Sequence, residues 1–370
     1  MNPTSTPAPI DRLDDLGWDP AFESDFHNVA PPDCQPGRVM RADKDRMVVA
    51  TASGDMIAQL AGAMRHHAER PSDLPAVGDW VALQGSGANG HGIIRAVVPR
   101  RSRLARQSAG RTSEEQLIAA NIDTILVVAG LDTDFNVRRL ERYMVLCAES
   151  GADPVLVLNK ADACDDPDEA IARVETISNG APVHAVSAAD GTGLDVLARY
   201  CRPSRTVLIV GSSGVGKSTL INALTGGAAG LKTGDVRHTD GRGQHTTTWR
   251  ELVRLPAGGW LVDTPGMREL ALWSDDPSSG TGPAFSDVED LAEQCRFADC
   301  EHNGEPGCAV EAAIEAGELP ADRLASFQHL RRELAHLERK QDQRAKQREV
   351  QRWKSISKSV RKLNKRRDRG

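Results

Sequence analysis

The segment from Gly211 to Ser218 carries the most specific chemistry in the chain, because it fits the pattern G-x-x-x-x-G-K-[ST]. Glycines in such a loop let backbone N–H groups surround a phosphate, the lysine reaches the β- and γ-phosphates, and the last hydroxyl binds Mg²⁺. The apolar run 206–210 before the loop and the helical stretch 218–224 after it are the flanks that this loop needs. The predicted phosphate-binding residues are Gly211, Ser212, Ser213, Gly214, Val215, Gly216, Lys217, Ser218 and Thr219, and Lys217 is also predicted to act in catalysis.

A second segment predicts which base is bound. It consists of Asn159, Lys160, Ala161 and Asp162 and follows another apolar run. The Asp162 carboxylate can accept hydrogen bonds from N1–H and the exocyclic amine of guanine, whereas adenine would leave that carboxylate unpaired. Asn159 is expected to tie the loops together, and the turn at Ser187 and Ala188 to donate a backbone N–H to the guanine O6. The four-residue pattern is weak alone, but with the phosphate loop it predicts GTP and GDP as ligands.

Two further segments predict the Mg²⁺ shell and the switch loops. Asp263 ends an apolar run and begins the pattern D-x-x-G, so we expect Asp263 to hold Mg²⁺ through water and the Gly266 N–H to face the γ-phosphate. Three threonines, 246–248, follow a glycine-rich stretch and are suited to a mobile switch. One of them should complete the shell with Ser218, and we assign Thr247, although the pattern also fits an exposed strand edge.

These segments occur in an unusual order. The guanine motif comes first, then the phosphate loop, the threonines and D-x-x-G. Ordinary small GTPases begin with the phosphate loop and end with the guanine motif. The chain is therefore predicted to be a circularly permuted GTPase, in which the D-x-x-G switch leads directly into the C-terminal region.

That C-terminal region holds a candidate zinc site. Cys295, Cys300, His302 and Cys308 supply three thiolates and one imidazole within 14 residues. Four such ligands complete the tetrahedral shell of a structural zinc ion and leave no position for water. Seven cysteines in a 370-residue chain do not suggest a disulfide framework. We therefore expect one structural Zn²⁺ per chain and a reducing, cytoplasmic setting.

The elements that must position these residues divide the chain into five parts. Residues 1–35 are rich in Pro and Asp and predict a flexible lead-in, and five short strand-like pieces within 36–108 predict a β-barrel of the OB type. Apolar runs at 125–128, 155–158, 207–210 and 260–262 predict the buried parallel strands of a GTPase domain over 109–274. The remaining parts are a helical zinc-binding domain over 275–340 and a basic helix or tail over 341–370. The predicted fold class is multidomain α/β.

Charge is distributed unevenly along the chain. The formal net charge is −6, yet residues 331–370 contain 16 Lys and Arg against 5 Asp and Glu. A basic tail on an acidic body suggests a polyanionic partner, although a solvated helix or a disordered solubility tail fits the charge equally well. Leucines at 330, 334 and 337 have helical spacing and predict an amphipathic helix. No run approaches 18 consecutive apolar residues, so no membrane contact is expected.

Taken together, these motifs resemble the ribosome small-subunit-dependent GTPase A family of bacterial permuted GTPases. The resemblance covers nearly all of the chain from Gly37. It is carried by Val77–Val81, Ala119–Asp123, Asn159–Asp162, Gly211–Thr219, His245–Thr248, Asp263–Gly266 and the segment from Cys295 to Cys308. It implies an OB barrel, a permuted GTPase and a C-terminal zinc domain. It also implies a late role in assembly of the small ribosomal subunit, with contacts to its rRNA and GTP hydrolysis stimulated by that subunit. A monomer is expected.

The same resemblance bears on catalysis. The family has an apolar residue where other GTPases place a water-orienting glutamine, and Met267 occupies that position here. A thioether cannot orient the attacking water, so hydrolysis by the protein alone should be slow. His245, just before the threonines, is the candidate to orient or deprotonate water. An exposed loop histidine without a role is the alternative.

Two other functions remain open from sequence. One is an RNA-binding scaffold in which GTP only fixes a conformation. The other is a P-loop ATPase or kinase, which Asp162 disfavours. Turnover with and without ribosomal subunits, and competition of GTP by ATP, would separate the three.

Overall fold

A computed structural model describes residues 13–43, 46–68, 70–85, 90–107, 115–133, 135–227, 250–263, 282–336 and 338–339. The chain forms two compact units, Met1–Trp273 and Ser274–Gly370. Within the described residues no helix is long and apolar enough to span a membrane.

Five strands of the first unit close a barrel. They are β1 (Cys34–Ala42), β2 (Met47–Thr51), β3 (Gly54–Leu60), β4 (Trp80–Gln84) and β5 (His91–Val97), with a short helix, α2 (Gly62–His67), after β3. The barrel order is β1-β2-β3-β5-β4, and β4 pairs again with β1. The β3–β5 pair is parallel and the other pairs are antiparallel. The predicted five-stranded barrel is therefore confirmed.

Alternating side chains fill the barrel. Its buried core comprises Val39, Met47, Val49, Met56, Ala58, Val81, Leu83 and Ile94. On β3 the pattern is strict, since Met56 and Ala58 are buried while Ile57 and Gln59 between them are exposed. This is the period-two pattern that a half-buried strand requires.

An ion pair joins the segment before β4 to the segment after β5. Asp79 is fully buried, and its carboxylate accepts a hydrogen bond from Ala76 N and two from the Arg100 guanidinium at 2.7 and 2.8 Å. Gly78 has φ +89°, and a Cβ there would lie 2.1 Å from Ala120 O. Glycine is required at this close approach of two backbones. A two-stranded sheet of β6 (Arg103–Gln107) and β7 (Glu115–Ala120) then leads out of the barrel.

The GTPase region is built on a mostly parallel sheet. Its strands are β8 (Thr124–Gly130), β9 (Asp153–Asn159), β10 (Val183–Ala185), β11 (Thr206–Gly211), β12 (Arg250–Arg254) and β13 (Trp260–Asp263). Their order is β10-β9-β8-β11-β13-β12, and only β12 runs antiparallel to its neighbour. The four apolar runs predicted as buried strands coincide with β8, β9, β11 and β13. Their side chains are buried because helices cover such a sheet.

The helices of this region are α3 (Val137–Ser150), α4 (Pro167–Glu175), α5 (Leu194–Ala198) and α6 (Lys217–Leu224). Helix α3 ends at Gly151, which adopts the left-handed conformation (φ +75°) typical of a helix C-terminus. Helix α4 begins after Asp166, whose carboxylate accepts from Glu169 N at 3.0 Å. Helix α6 confirms the helical stretch predicted after the phosphate loop.

The N-terminal region differs from the flexible lead-in predicted for residues 1–35. Residues 13–29, here called the clasp, form a 3-10 helix (Leu13–Leu16) and helix α1 (Pro20–Val29). Asp19 caps α1 by accepting from Ala21 N and Phe22 N. Phe22 and Phe26 are buried, and Trp18 packs edge-on against Trp80 at 4.6 Å between ring centroids. The Pro- and Asp-rich composition predicted no structure, but three aromatic residues of the segment, Trp18, Phe22 and Phe26, stabilise it by packing on the barrel.

The clasp also contacts the GTPase sheet. The Trp260 indole N–H donates to Asp15 O at 2.9 Å, and the Ser204 hydroxyl donates to Asp14 O at 2.5 Å. Arg101 pairs with the Asp19 carboxylate and lies over the Phe22 ring at 3.6 Å. The clasp therefore joins the barrel to the amino-terminal ends of the GTPase strands.

Arg38 lies at the centre of this junction. Its guanidinium donates to Leu16 O in the clasp, to Gly78 O at 3.3 Å, to Asn121 O at 3.2 Å and to Thr206 Oγ1 at 2.7 Å. Burial lowers the pKa of Arg38 to about 10. Because four of its five N–H groups donate to carbonyl or hydroxyl oxygens, the protein itself solvates the buried charge.

The barrel and the GTPase region share one continuous sheet. Strand β1 pairs with β12, with Arg41 opposite Glu251 and Ala42 opposite Arg250. The Arg250 guanidinium also donates to Leu117 O of β7 at 2.7 Å. The strand that follows the predicted threonine switch is thus bonded directly to the barrel.

The second unit is helical. It contains a 3-10 turn (Gly282–Phe285), α7 (Ser286–Ala292), α8 (Ala309–Glu315) and a helix α9 over residues 321–336. Leu330 and Leu334 are buried on α9, as their helical spacing predicted. Leu337 and the basic residues 341–370 lie outside the described residues. Arg323 of α9 donates to both carboxylate oxygens of Asp287 at 2.9 Å.

Candidate functional site

The carboxyl ends of four neighbouring parallel strands meet at one edge of the GTPase sheet. Strands β9, β8, β11 and β13 end at Asn159, Gly130, Gly211 and Asp263, in that spatial order. An open α/β sheet binds its ligand in the crevice outside these ends. The guanine motif, the phosphate loop and the D-x-x-G aspartate are therefore brought to one edge, as the sequence predicted.

Glycine is required at two positions of the phosphate loop. Gly211 has φ +150°, and a Cβ there would lie 2.3 Å from Val128 O. Gly216 has φ +91°, and its Cβ would lie 2.2 Å from Asn159 Nδ2. A larger residue at Gly211 would displace the backbone of β8, and one at Gly216 would displace the Asn159 amide that ties the loops together. The loop then enters α6 at Lys217, so the helix N-terminus faces the crevice.

Lys217 lies within the phosphate loop itself. Its ammonium donates to Gly211 O at 2.8 Å and to Ser212 O. Burial lowers the pKa of Lys217 to about 8. Backbone carbonyls are weaker partners for an ammonium than phosphate oxygens, so the lysine gains by exchanging them for a phosphate.

Asn159 joins the loops around the site. Its amide nitrogen donates to Val215 O of the phosphate loop at 2.8 Å, and its oxygen accepts from Ala188 N at 2.9 Å. Asn159 is 2 % exposed. A buried side chain with both amide ends bonded holds two loops at a fixed separation. The structural tie expected from the sequence is present.

The base-binding residues border an open face. Asp162 is exposed in the 3-10 turn Ala161–Ala163, and Ala161 N donates to Val186 O at 3.1 Å. Ser187 is fully buried, and its N–H donates to Thr192 O at 2.9 Å. Ala188 N is already bonded to Asn159. Among the described residues, the N–H of the exposed Ala189 has no acceptor, so it is the donor in this turn that a ligand can reach.

Asp263 ends β13 with two features that favour a cation. Its carboxyl group is 8 % exposed and lies opposite Glu251 on β12. Burial raises the pKa of Asp263, and the Glu251 carboxylate acts in the same direction. A divalent ion would relieve both effects. Ser218, the other described candidate for Mg²⁺, is exposed in the first turn of α6.

Several predicted residues cannot be placed in this geometry. His245, Thr247, Gly266 and Met267 lie outside the described residues. Their roles stay predictions from the sequence.

The predicted zinc ligands come together in the second unit. One ligand atom from each of Cys295, Cys300, His302 and Cys308 lies within 4.8 Å of the others. His302 Nδ1 is 3.4 Å from Cys308 Sγ and 3.7 Å from Cys295 Sγ. Ligands of one tetrahedral zinc ion have separations of this order, given bonds of about 2.0–2.3 Å. The donor set fits zinc.

The surroundings of the cluster fit thiolate ligands as well. Backbone N–H groups of Ala309 and Glu311 lie 3.4 Å from the sulfurs of Cys295 and Cys308, and so donate to them. Burial lowers the pKa of His302, and the Arg331 charge adds to this effect. The neutral imidazole that a metal needs is thereby favoured. From α9, the Gln328 amide donates to Glu301 O and His302 O at 3.2 and 3.3 Å, which supports the ligand loop.

Comparison with known proteins decides the family. The RsgA GTPase family model matches residues 97–273. A small ribosomal subunit biogenesis GTPase RsgA of Opitutus terrae is 44 % identical over 352 residues, which cover 93 % of this chain and 95 % of that protein. This chain belongs to the RsgA GTPase family. The Streptomyces coelicolor protein of the same name is 42 % identical over 94 % of this chain and 93 % of its own length.

Solved structures agree on the fold. YjeQ from Thermotoga maritima matches with a TM-score of 0.62 and 27 % identity, over 82 % of this chain and 99 % of that one. YloQ, described as a circularly permuted GTPase, matches with a TM-score of 0.59 and 22 % identity, over 83 % of this chain and 96 % of its own. The RsgA-family chain is therefore a GTP-hydrolysing P-loop enzyme of circularly permuted order, with an N-terminal barrel and a C-terminal helical region.

Sequence reasoning missed two groups that bear on this site. The first is Asp132, which follows β8 and pairs with Lys160 of the guanine motif at 2.6 Å. The second is the junction of Arg38 with Thr206, the first residue of β11. Neither belongs to a recognised motif. A charged residue directly after a buried parallel strand was the available signal for Asp132.

Proposed function

We propose that this chain binds the small ribosomal subunit during its biogenesis and hydrolyses GTP to GDP and phosphate when bound there. Relatives that match over more than nine-tenths of their length are named small ribosomal subunit biogenesis GTPases, which supports the proposal. The proposal that the site binds a nucleotide rests on Asn159, whose side chain is hydrogen-bonded to both the phosphate loop and the 187–189 turn. It sets the distance between the phosphate end and the base end of one nucleotide.

The base end reads guanine. Asp162 accepts from N1–H and the exocyclic amine. In the turn that follows β10, the N–H groups of Ser187 and Ala188 are bonded within the protein, so the Ala189 N–H is the one that donates to O6. Lys160 and Ala161 complete the loop. An adenine nucleotide would leave the carboxylate facing a base without matching donors, which costs about 1–3 kcal/mol or more.

The phosphate end holds the triphosphate with Mg²⁺. Backbone N–H groups from Gly211 to Thr219 surround the phosphates, and Lys217 transfers its ammonium from loop carbonyls to phosphate oxygens. Ser218, Thr247 and Asp263 would hold the ion, and the Gly266 N–H would bind the γ-phosphate. Bound Mg²⁺ supplies charge neutralisation at the β- and γ-phosphates.

Hydrolysis depends on an outside partner. Met267 offers no group to orient water, so His245 takes that role once the switch is ordered. Lys217 stabilises the charge that develops on the transferred phosphoryl group. The ordering comes from the subunit, because the switch is continuous in sequence with the zinc domain and the basic tail.

The second unit and the tail supply the contact with rRNA. One zinc ion held by Cys295, Cys300, His302 and Cys308 would stabilise the fold that presents helix α9. The positive charges of residues 331–370 meet rRNA phosphates, so binding weakens as salt rises. The protein acts as a cytoplasmic monomer and uses no membrane.

Steady-state GTP turnover with and without purified small subunits tests the proposal. We expect slow turnover alone and a large increase with subunits. The GTP-bound form should bind subunits more tightly than the GDP form, and by linkage subunits should favour GTP by the same factor. His245→Ala should keep GTP and subunit binding but lose most of the stimulated rate.

Three outcomes would contradict parts of the proposal. Equal turnover with and without subunits, despite GTP-dependent subunit binding, would favour the RNA-binding scaffold in which GTP only fixes a conformation. If subunits stimulate GTP turnover of His245→Ala as strongly as that of the wild-type protein, the histidine has no role in catalysis. Truncation after Arg339 leaves the buried leucines of α9 in place and should weaken subunit binding most at high salt. An unchanged salt dependence would show that the tail does not contact rRNA.

A further inference from the structure

The loop that follows β8, residues 131–133, contacts the guanine motif. Asp132 lies two residues beyond β8, and Lys160 follows the neighbouring strand β9. The Lys160 ammonium donates to Asp132 Oδ2 at 2.6 Å, and the two side chains are 34 and 33 % exposed. The pair therefore lies at the mouth of the crevice.

The two loops are also joined through their backbones. Leu131 N donates to Asn159 O at 2.7 Å. Asn159 is the residue that bonds both the phosphate loop and the 187–189 turn. The loop over 131–133 is thus held in register with all three segments of the nucleotide site.

The backbone of Lys160 is unusual. Its φ and ψ of 66° and 36° lie in the left-handed region, which few residues other than glycine adopt. This conformation fixes the direction in which the side chain leaves the loop, between the tie at Asn159 and the base-reading Asp162. A lysine side chain with four rotatable bonds would still sample many rotamers, and an ion pair at its end selects among them.

We infer that Asp132 is a positioning residue for guanine-nucleotide binding, because it holds the Lys160 side chain as a preformed wall of the base site. The inference rests on the proposed function and deepens it. The apolar methylenes of the lysine stem can cover the face of a base while its ammonium stays paired. Binding then loses less side-chain entropy than it would with a free lysine.

The expected effect is modest and shared by both nucleotides. Partly exposed ion pairs of this kind change an equilibrium by about two- to fivefold. Since GTP and GDP carry the same base, Asp132→Asn should weaken both affinities by the same factor. The ratio of the two affinities should not change.

A double-mutant cycle with fluorescent GDP and GTP analogues tests the inference. The variants are Asp132→Asn, Lys160→Met and the double substitution, in the full-length protein. We expect Asp132→Asn to lose affinity about two- to fivefold in the wild-type background and nothing further in the Lys160→Met background. Asp132→Glu should recover part of the loss, and 0.5 M salt should shrink it.

Asp153→Asn is the matched control. Asp153 is an exposed acid at the amino-terminal end of β9, at the opposite end of the same sheet, and its loss should leave affinity unchanged. An Asp132→Asn protein with wild-type affinity would overturn the inference. An equal further loss in the Lys160→Met background would overturn it as well, since Asp132 would then act independently of the lysine. Failure of the wild-type protein to bind GDP or GTP would instead refute the proposed function.

Discussion

Asp162 sits exposed beside the crevice, where a bound base would cover it. Asp162→Asn should weaken GTP binding by at least about tenfold, because the amide presents a donor where guanine also has one. Xanthine has a carbonyl at that place, so XTP should bind the variant better than GTP does. Competition of fluorescent GDP by GTP and XTP measures the change. Asp165→Asn, an exposed acid three residues on, should keep the guanine preference, and unaltered GTP affinity in Asp162→Asn would remove this carboxylate from the site.

Lys217 gives the site a pH dependence. Its pKa of about 8 in the nucleotide-free protein lies below the ordinary lysine value of 10.5 because of burial. Phosphate oxygens bind the ammonium form, so the free protein must take up a proton when nucleotide binds above pH 8. GDP affinity should therefore be flat below pH 8 and fall by up to about tenfold per pH unit above it. Titration of fluorescent GDP between pH 6.5 and 9.5 measures this.

The same shift affects stability with the opposite sign. A lysine whose folded pKa is depressed holds fewer protons folded than unfolded between pH 8 and 10.5. Its contribution to the free energy of unfolding therefore rises with pH in that window. Lys217→Met should abolish both effects and lose most nucleotide affinity. If the wild-type affinity does not change across pH 8, the free protein keeps Lys217 charged above that pH, and burial does not lower its pKa as stated.

At the scale of elements, the ligand loop between α7 and α8 has little apolar core of its own and depends on its metal. Cys300→Ala should lose the zinc and make the second unit sensitive to protease. Metal analysis should find about one zinc per wild-type chain and much less in the variant. Cys164→Ala, a half-buried thiol in the first unit, should keep the metal. A wild-type protein that contains no zinc and resists protease equally in both forms would show that the loop folds without the ion.

Elements with a strong local signal could be predicted from sequence. The strands β8, β9, β11 and β13 are continuous apolar runs, and the barrel strands are short alternating runs between turns, so both were recognised. The loops of the nucleotide site and the zinc cluster were recognised because their chemistry fixes residue type and spacing. These predictions needed no information on which strands pair.

Elements whose stability comes from distant contacts could not be predicted. Helix α1 is short and lies in a Pro- and Asp-rich segment, and it is held by Phe22, Phe26 and the edge-on packing of Trp18 against Trp80. Strand β12 has a mixed burial pattern and is ordered by pairing with both β1 and β13. Asp132 escaped notice because its partner lies 28 residues away.

At the scale of the whole molecule, the first unit should unfold as one body. Arg38 bonds the clasp, the barrel, the segment before β8 and strand β11 at once. Arg38→Met would leave the buried acceptors Leu16 O, Asn121 O and Thr206 Oγ1 without this donor and should lower the free energy of unfolding by about 3–5 kcal/mol. Urea unfolding followed both by release of bound fluorescent GDP and by circular dichroism should show one shifted transition.

Arg41→Met, on the exposed face of the same strand, is the control and should change stability by less than about 1 kcal/mol. Two separate transitions in the wild-type protein, one for the barrel and one for the GTPase region, would contradict a single body. So would an Arg38→Met protein in which GDP release is unshifted.

The convergence of the clasp on the junction gives the protein a built-in optical probe. Of the six tryptophans in the chain, Trp18, Trp80 and Trp260 all lie where the clasp meets the barrel and the GTPase sheet. Trp80 and Trp260 are 1 and 3 % exposed, and the Trp18 and Trp80 rings are in contact. Separation of the clasp would expose these indoles to water and shift their emission to longer wavelength. The protein's own fluorescence would therefore report any separation of the clasp from the barrel and the GTPase sheet, with no added label.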